Sequence, residues 1–321
     1  MRRRRLLVAT LAAVSGCTSA GYRATGPRTP PPRPETDAAP ASTPDPVEAR
    51  AQAILRPLNE VYRTVRGPLA DFEVADVSDE QLAAARDSLA RAREAQSTFS
   101  STVADPPARY QSLPTLVATH GSLLDALVAA VDCWSSLSSI VPVAPARADD
   151  TDSAARLTTA RTAVQTLTTV ATDLADAADA EPTIPPALFL TTDRVRSFAT
   201  TLDTQSTALE RLIEAVAAVR DAADRWRDGV TALERQRYDD ARAAFSTARE
   251  EYRAASESLD AGPDPTGSFV DLAESTACVV SAGVEAASTA VDATELASAG
   301  DVARAETRLD EAETIRNRCV N

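Results

Sequence analysis

Few side chains in this 321-residue chain carry reactive chemistry: one histidine, four cysteines and scattered pairs of adjacent acids. A histidine moves protons near neutral pH, and a thiol forms thioethers, disulfides or metal bonds. Paired carboxylates hold a divalent cation or divide the roles of general acid and base. His120 falls on one helical row with Leu116, Leu123, Leu127 and Trp134, which reads as a core or rim position. A histidine metal site needs companion ligands at fixed spacing, and the sequence has none. Acid pairs such as Asp149-Asp150, Asp239-Asp240 and Glu250-Glu251 read as solvated faces in a chain with 47 acidic residues. No Ser/His/Asp or Cys/His constellation can be assembled. There is no glycine-rich phosphate loop either, since Gly300-Asp301 is a turn. No catalytic residue, metal ligand or cofactor is expected, and the chain reads as non-enzymatic.

Cys17 stands apart near the N-terminus, leaving Cys133, Cys278 and Cys319. An odd number suggests one disulfide and one leftover thiol. Cys278 and Cys319 flank the Gly300 turn at similar distances, so an antiparallel hairpin brings them to similar height. Their azimuth argues otherwise, because Cys278 shares a polar stripe with Asp271, Glu274, Ser281, Glu285 and Asp292. Cys133, beside Trp134 in an apolar helix, reads as a buried thiol. A Cys278–Cys319 bridge is the favoured reading, with a pairing to Cys133 as the alternative and three free thiols as the remaining possibility.

These groups must be positioned by helices. Aromatics make up 4% of the chain and glycines number 10, too few for a sheet-rich fold with many tight turns. From Val47 the pattern is helical, punctuated by proline. A first helix is expected over 47–66, stopped by Gly67-Pro68. A second opens at Ser78 with Gln81 in a capping box and runs to about Phe99. A third covers Leu113 to Ile140.

Asp149, Asp150 and Asp152 open a fourth, whose seam is Leu157, Ala160, Val164, Leu167, Ala171, Leu174 and Ala178. The fifth, about 48 residues, keeps 3-4 spacing from Val195 to Leu233 with Gln205 as the one polar member. Arg220, Arg225, Arg227 and Arg235 read as i,i+4 partners of neighbouring acids. A return helix carries Tyr238, Ala241, Phe245, Ala248 and Tyr252. Ser268 with Asp271 caps the next, and a last helix buries Val302, Ala305, Leu309 and Ala312. The fold class is all-α: antiparallel helical hairpins, seven or eight helices, in sub-blocks of about 47–145, 149–260 and 261–321.

The N-terminus carries an address. Arg3-Arg4-Arg5-Leu6-Leu7 resembles a twin-arginine export motif, a Sec route being the alternative, and Val14-Ser15-Gly16-Cys17 resembles a lipobox. The apolar run Leu6 to Val14 is far short of the about 20 residues that span a bilayer. The resemblance implies a signal peptide at 1–16 and lipidation of Cys17. Residues 17–46, rich in proline, then form a tether. It also implies a place at the cell surface, on the outer face of the cytoplasmic membrane.

Lysine is absent, and the 33 basic residues are all arginine. Net charge is −14, becoming −18 once residues 1–16 and their four arginines are removed. Such a composition resembles that of extreme halophiles, whose surfaces repel themselves little in molar salt, where the Debye length is about 3 Å. It excludes nucleic acid as an expected partner. Tyr238, Ala241, Phe245 and Ala248, with Gly229 upstream, resemble a tetratricopeptide repeat, and Gly300 to Ala312 repeats the pattern. Leu82, Ala85, Leu89 and Ala92 give a fainter copy. The reading is a non-enzymatic surface lipoprotein that binds a protein partner or organises the envelope. The alternative is a small-ligand-binding lipoprotein serving a transporter.

Overall fold

The computed structural model describes residues 45–140, 151–180 and 182–319. The arginine motif, Cys17, most of the proline-rich segment and the Asp149-Asp150 pair lie outside the described residues. Among the described residues the chain is all-α, with eight helices, two short 3-10 turns and no strand. The helices are α1 (Pro46–Asp71), α2 (Asp79–Thr102), α3 (Leu113–Ile140), α4 (Thr151–Asp179), α5 (Thr192–Glu234), α6 (Tyr238–Asp260), α7 (Val270–Ser298) and α8 (Val302–Asn317). The 3-10 turns are Ala108–Tyr110 and Gly267–Phe269.

Local chemistry sets the helix ends. Asp45 accepts from the Val47 amide with Pro46 in the first turn, and Ser78 with Gln81 forms the expected capping box. Three-residue connections at 235–237 and 299–301 make α5/α6 and α7/α8 antiparallel. From α4 onward each helix packs chiefly on its neighbours in the chain, while α1, α2 and α3 pack mutually. One core cluster joins α1 to α5, and two smaller ones centre on Trp226 with Phe245 and on Tyr252 with Val280. By length and hydropathy the stretch 108–140 would suffice to cross a membrane, but 67% of its apolar window is buried in this core.

The α4 seam lies where its spacing put it, from Leu157 to Ala178, all buried. In α6, Ala241, Phe245, Ala248, Tyr252 and Ala255 are fully buried. Close approach is secured by missing side chains. A Cβ on Gly229 would lie 2.7 Å from the Phe245 ring, and one on Gly283 would lie 2.5 Å from Tyr252. Gln205, the polar member of the α5 row, is buried and accepts from the Thr266 amide at 3.0 Å. It thereby ties the α6–α7 connection to α5.

Four expectations need correction. Gly67-Pro68 does not stop α1, which continues to Asp71 and ends on Phe72 in the left-handed region. Proline there removes only one helix bond, and the fully buried Leu69 and Phe72 hold the last turn. Ser268 does not cap α7. Its hydroxyl accepts from the amides of Val74 and Ala75 at 2.8 and 2.9 Å, closing the loop after α1. Gly267, at φ +60°, permits that contact, since a Cβ would lie 2.3 Å from the Phe72 carbonyl oxygen.

The fifth helix has 43 residues rather than about 48. The chain before it is held by Asn59, which donates to the Ala187 carbonyl and accepts from the Phe189 amide, both at 2.8 Å. Val302 is 52% exposed, so the last helix is seated by Ala305 and Ala312 instead.

Candidate functional site

The histidine is a core residue. His120 is fully buried on α3, its Nδ1 2.7 Å from the Leu116 carbonyl oxygen, while its Nε2 has no protein partner. Burial strips the imidazolium of its hydration and lowers the pKa to about 4. The ring is neutral near pH 7 and shut away from any substrate.

Cys133 is buried too, and desolvation, with Asp132 alongside, pushes its thiol up to about 12. Such a thiol makes no nucleophile at neutral pH. The structure joins Cys278 to Cys319 across α7 and the end of α8, with Cα atoms 5.9 Å apart. The polar stripe through Cys278 flanks the α7/α8 seam. Glu285 pairs with Arg318 at 2.8 Å, and Asp292 faces Arg308. Helix α8 also brings Arg316 onto Trp226, 4.7 Å from the ring centroid.

The Asp239-Asp240 pair sits on a solvated face, and of the next pair Glu250 is exposed and Glu251 half-buried. Asp239 and Asp240 open α6, with Asp240 3.3 Å from Arg237. No cluster of three metal-ligating side chains occurs among the described residues. On α5, Arg225 pairs with Asp228 at 3.6 Å and Arg227 with Asp224. The spacing is i,i+3 rather than i,i+4.

A surface feature that the sequence reading missed runs along the α3/α4 hairpin as a groove of about 740 Å³. Arg156 of α4 donates to Ser139 of α3 at 2.6 Å beyond one end of the groove, which is lined by Ser122, Asp125 and Asp132 of α3 and by α4 from Thr158 to Asp173. From Ser122 to Asp132 the groove is about 15 Å long at 1.5 Å per residue. Its floor is Val128, Ala129, Ala163 and Val170, and its acids are Asp125, Asp132 and Asp173.

Threonines of α4 supply the facing wall, and their hydroxyls are already committed. Thr158 donates to the carbonyl of Ala154, Thr162 to Thr158, Thr166 to Thr162 and Thr169 to Gln165, at 2.9 to 3.1 Å. A hydroxyl has one hydrogen, so each threonine shows the groove only lone pairs and a methyl. Ser122 and Gln165 are the lining side chains with hydrogen left to donate. The groove therefore accepts hydrogen bonds along most of its length and carries three negative charges.

Among the described residues, none of those lining it is positively charged. Helix α3 contains no arginine, and the two on α4, Arg156 and Arg161, lie outside the lining. A second groove of similar size, on α5 and α6, also carries acids, Asp221, Asp224, Asp228 and Glu251, but sets Arg225 and Arg227 among them. Comparison with known proteins found no matching family model, no matching curated protein and no matching solved structure.

Proposed function

We propose that this chain is a cell-surface lipoprotein, anchored through Cys17 to the outer face of the cytoplasmic membrane. Its helical body serves as a non-enzymatic protein-interaction or envelope-organising module. The α3/α4 groove carries this reading: an open furrow with an apolar floor and a polar rim suits a segment of another protein. The reactive side chains add support, since His120 is a buried neutral ring and the Cys133 thiol is inaccessible. The close α5/α6 contact through Gly229 and Phe245 is the kind that a tetratricopeptide-like hairpin uses. The lipobox-like residues before Cys17 support the anchor.

Metabolic lipid labelling of the wild type and Cys17→Ala tests the anchor. Label on the wild type alone is expected, and label on neither contradicts it. Chemical crosslinking on intact cells tests the interaction, with a reproducible protein adduct expected. A thermal-shift screen in which a sugar, amino acid or metal strongly stabilises the protein would instead favour a ligand receptor.

A further inference from the structure

We infer that the groove between α3 and α4 receives an arginine-bearing helix of a partner protein, a conclusion that rests on the interaction reading above. Two independent features of the groove converge on that partner. The first is charge: Asp125, Asp132 and Asp173 line the groove with no cation among the described lining residues. The second is hydrogen-bond polarity. Thr158, Thr162, Thr166 and Thr169 give their hydrogens to their own helix and leave only acceptors facing outward.

A surface of acceptors is complemented by a side chain of donors. The guanidinium has five N–H donors, no acceptor, a fixed positive charge and weak hydration. Lysine has fewer donors on a strongly hydrated point charge and fits less well. A carboxylate or phosphate would meet repulsion and lone pairs on both walls.

The spacing selects a helix. Asp125 and Asp132 are seven residues apart on α3, about 10.5 Å along its axis. Two arginines at i and i+7 lie on one face of a partner helix at the same separation. An apolar side chain between them, at i+3 or i+4, would drop onto Val128, Ala129, Ala163 and Val170. The groove on α5 and α6 has acids too, but arginines already stand among them. It has one threonine, Thr231, in place of this wall, and so serves as the internal comparison.

The test uses the full chain and a fluorescent alanine-based helical peptide with arginines at i and i+7 and leucine at i+4, read by anisotropy. Three partner peptides are compared: this one, a lysine version, and a scrambled version of equal charge. The arginine peptide should bind tightest at moderate salt. Asp125→Asn/Asp132→Asn/Asp173→Asn should weaken it by about tenfold or more, whereas Asp221→Asn/Asp224→Asn/Asp228→Asn should change it less than about twofold.

All six aspartates are at the surface, and circular dichroism checks that both triple variants stay helical. Thr162→Val/Thr166→Val keeps the shape, removes two acceptors and should weaken the arginine peptide more than the lysine one. Equal weakening by the two aspartate triples, or equal binding of the scrambled peptide, would show bulk attraction and overturn the inference. A partner crosslinked elsewhere on the body, with no peptide bound here, also overturns it and leaves the interaction reading standing.

Discussion

Acid should weaken this protein through His120 in a way that one substitution can isolate. The ring is fully buried and its pKa is lowered from the usual 6.5 to about 4 by desolvation. The unfolded chain therefore binds a proton in a pH range where the folded chain does not. Above about pH 6.5 neither state is protonated and the histidine contributes no pH dependence. Stability then falls as pH drops through the interval, and the loss is complete below about pH 4. At about 1.4 kcal/mol per pH unit, the cost is about 2 kcal/mol at about pH 5 and about 3 kcal/mol at about pH 4.

His120→Leu removes the titrating ring at similar volume. It also removes the contact to the Leu116 carbonyl, worth about 1 kcal/mol at any pH. Urea unfolding followed by far-UV circular dichroism, from about pH 7.5 down to about pH 4, gives both stabilities. The carboxylates titrate alike in both proteins and cancel in the difference. The gap between variant and wild type should be level above about pH 6.5 and then swing by about 3 kcal/mol in the variant's favour. A gap independent of pH would mean that the ring titrates in the fold as it does in the unfolded chain, and would refute the reasoning.

Gly283→Ala should destabilise by about 1–2 kcal/mol, because the new methyl lies 2.5 Å from the fully buried Tyr252 ring. Gly67→Ala, with nothing within 4 Å in the interior of α1, should stabilise by about 0.5 kcal/mol, and thermal melts of the pair decide. Gln205→Leu should cost about 1–3 kcal/mol in denaturant unfolding by leaving the Thr266 amide without its acceptor. Cys319→Ser should cost about 4 kcal/mol, since the Cys278–Cys319 bridge closes a loop of 41 residues. Hydrogen exchange should quicken first in α8, and Trp226 emission should change as Arg316 leaves its ring.

Helical seams were legible because their period is simple: every α4 seam residue from Leu157 to Ala178 is buried, and the capping box at Ser78 forms as written. What failed depended on contacts distant in sequence. Gly67-Pro68 reads locally as a stop, yet burial of Leu69 and Phe72 carries α1 past it. Ser268 reads as a cap for the helix after it but serves amides almost two hundred residues earlier in the chain.

The polar stripe through Cys278 looked like solvent until α8 crossed beside it, because azimuth on one helix does not reveal where its neighbour lies. The α3/α4 groove was missed for the same reason, as its acids come from two helices and its threonines count as donors until their rotamers are known. One signal was available: the run from Thr162 to Asp193 holds five threonines before Pro182 and no arginine at all.

A photocrosslinking amino acid at Gln165, inside the α3/α4 groove, tests the central claim most directly when compared on intact cells with the same group at Asp221. The account predicts a discrete protein adduct from Gln165, mapped to an arginine-bearing helical segment and absent from Asp221. No adduct from Gln165, or the same adducts from both positions, would contradict it.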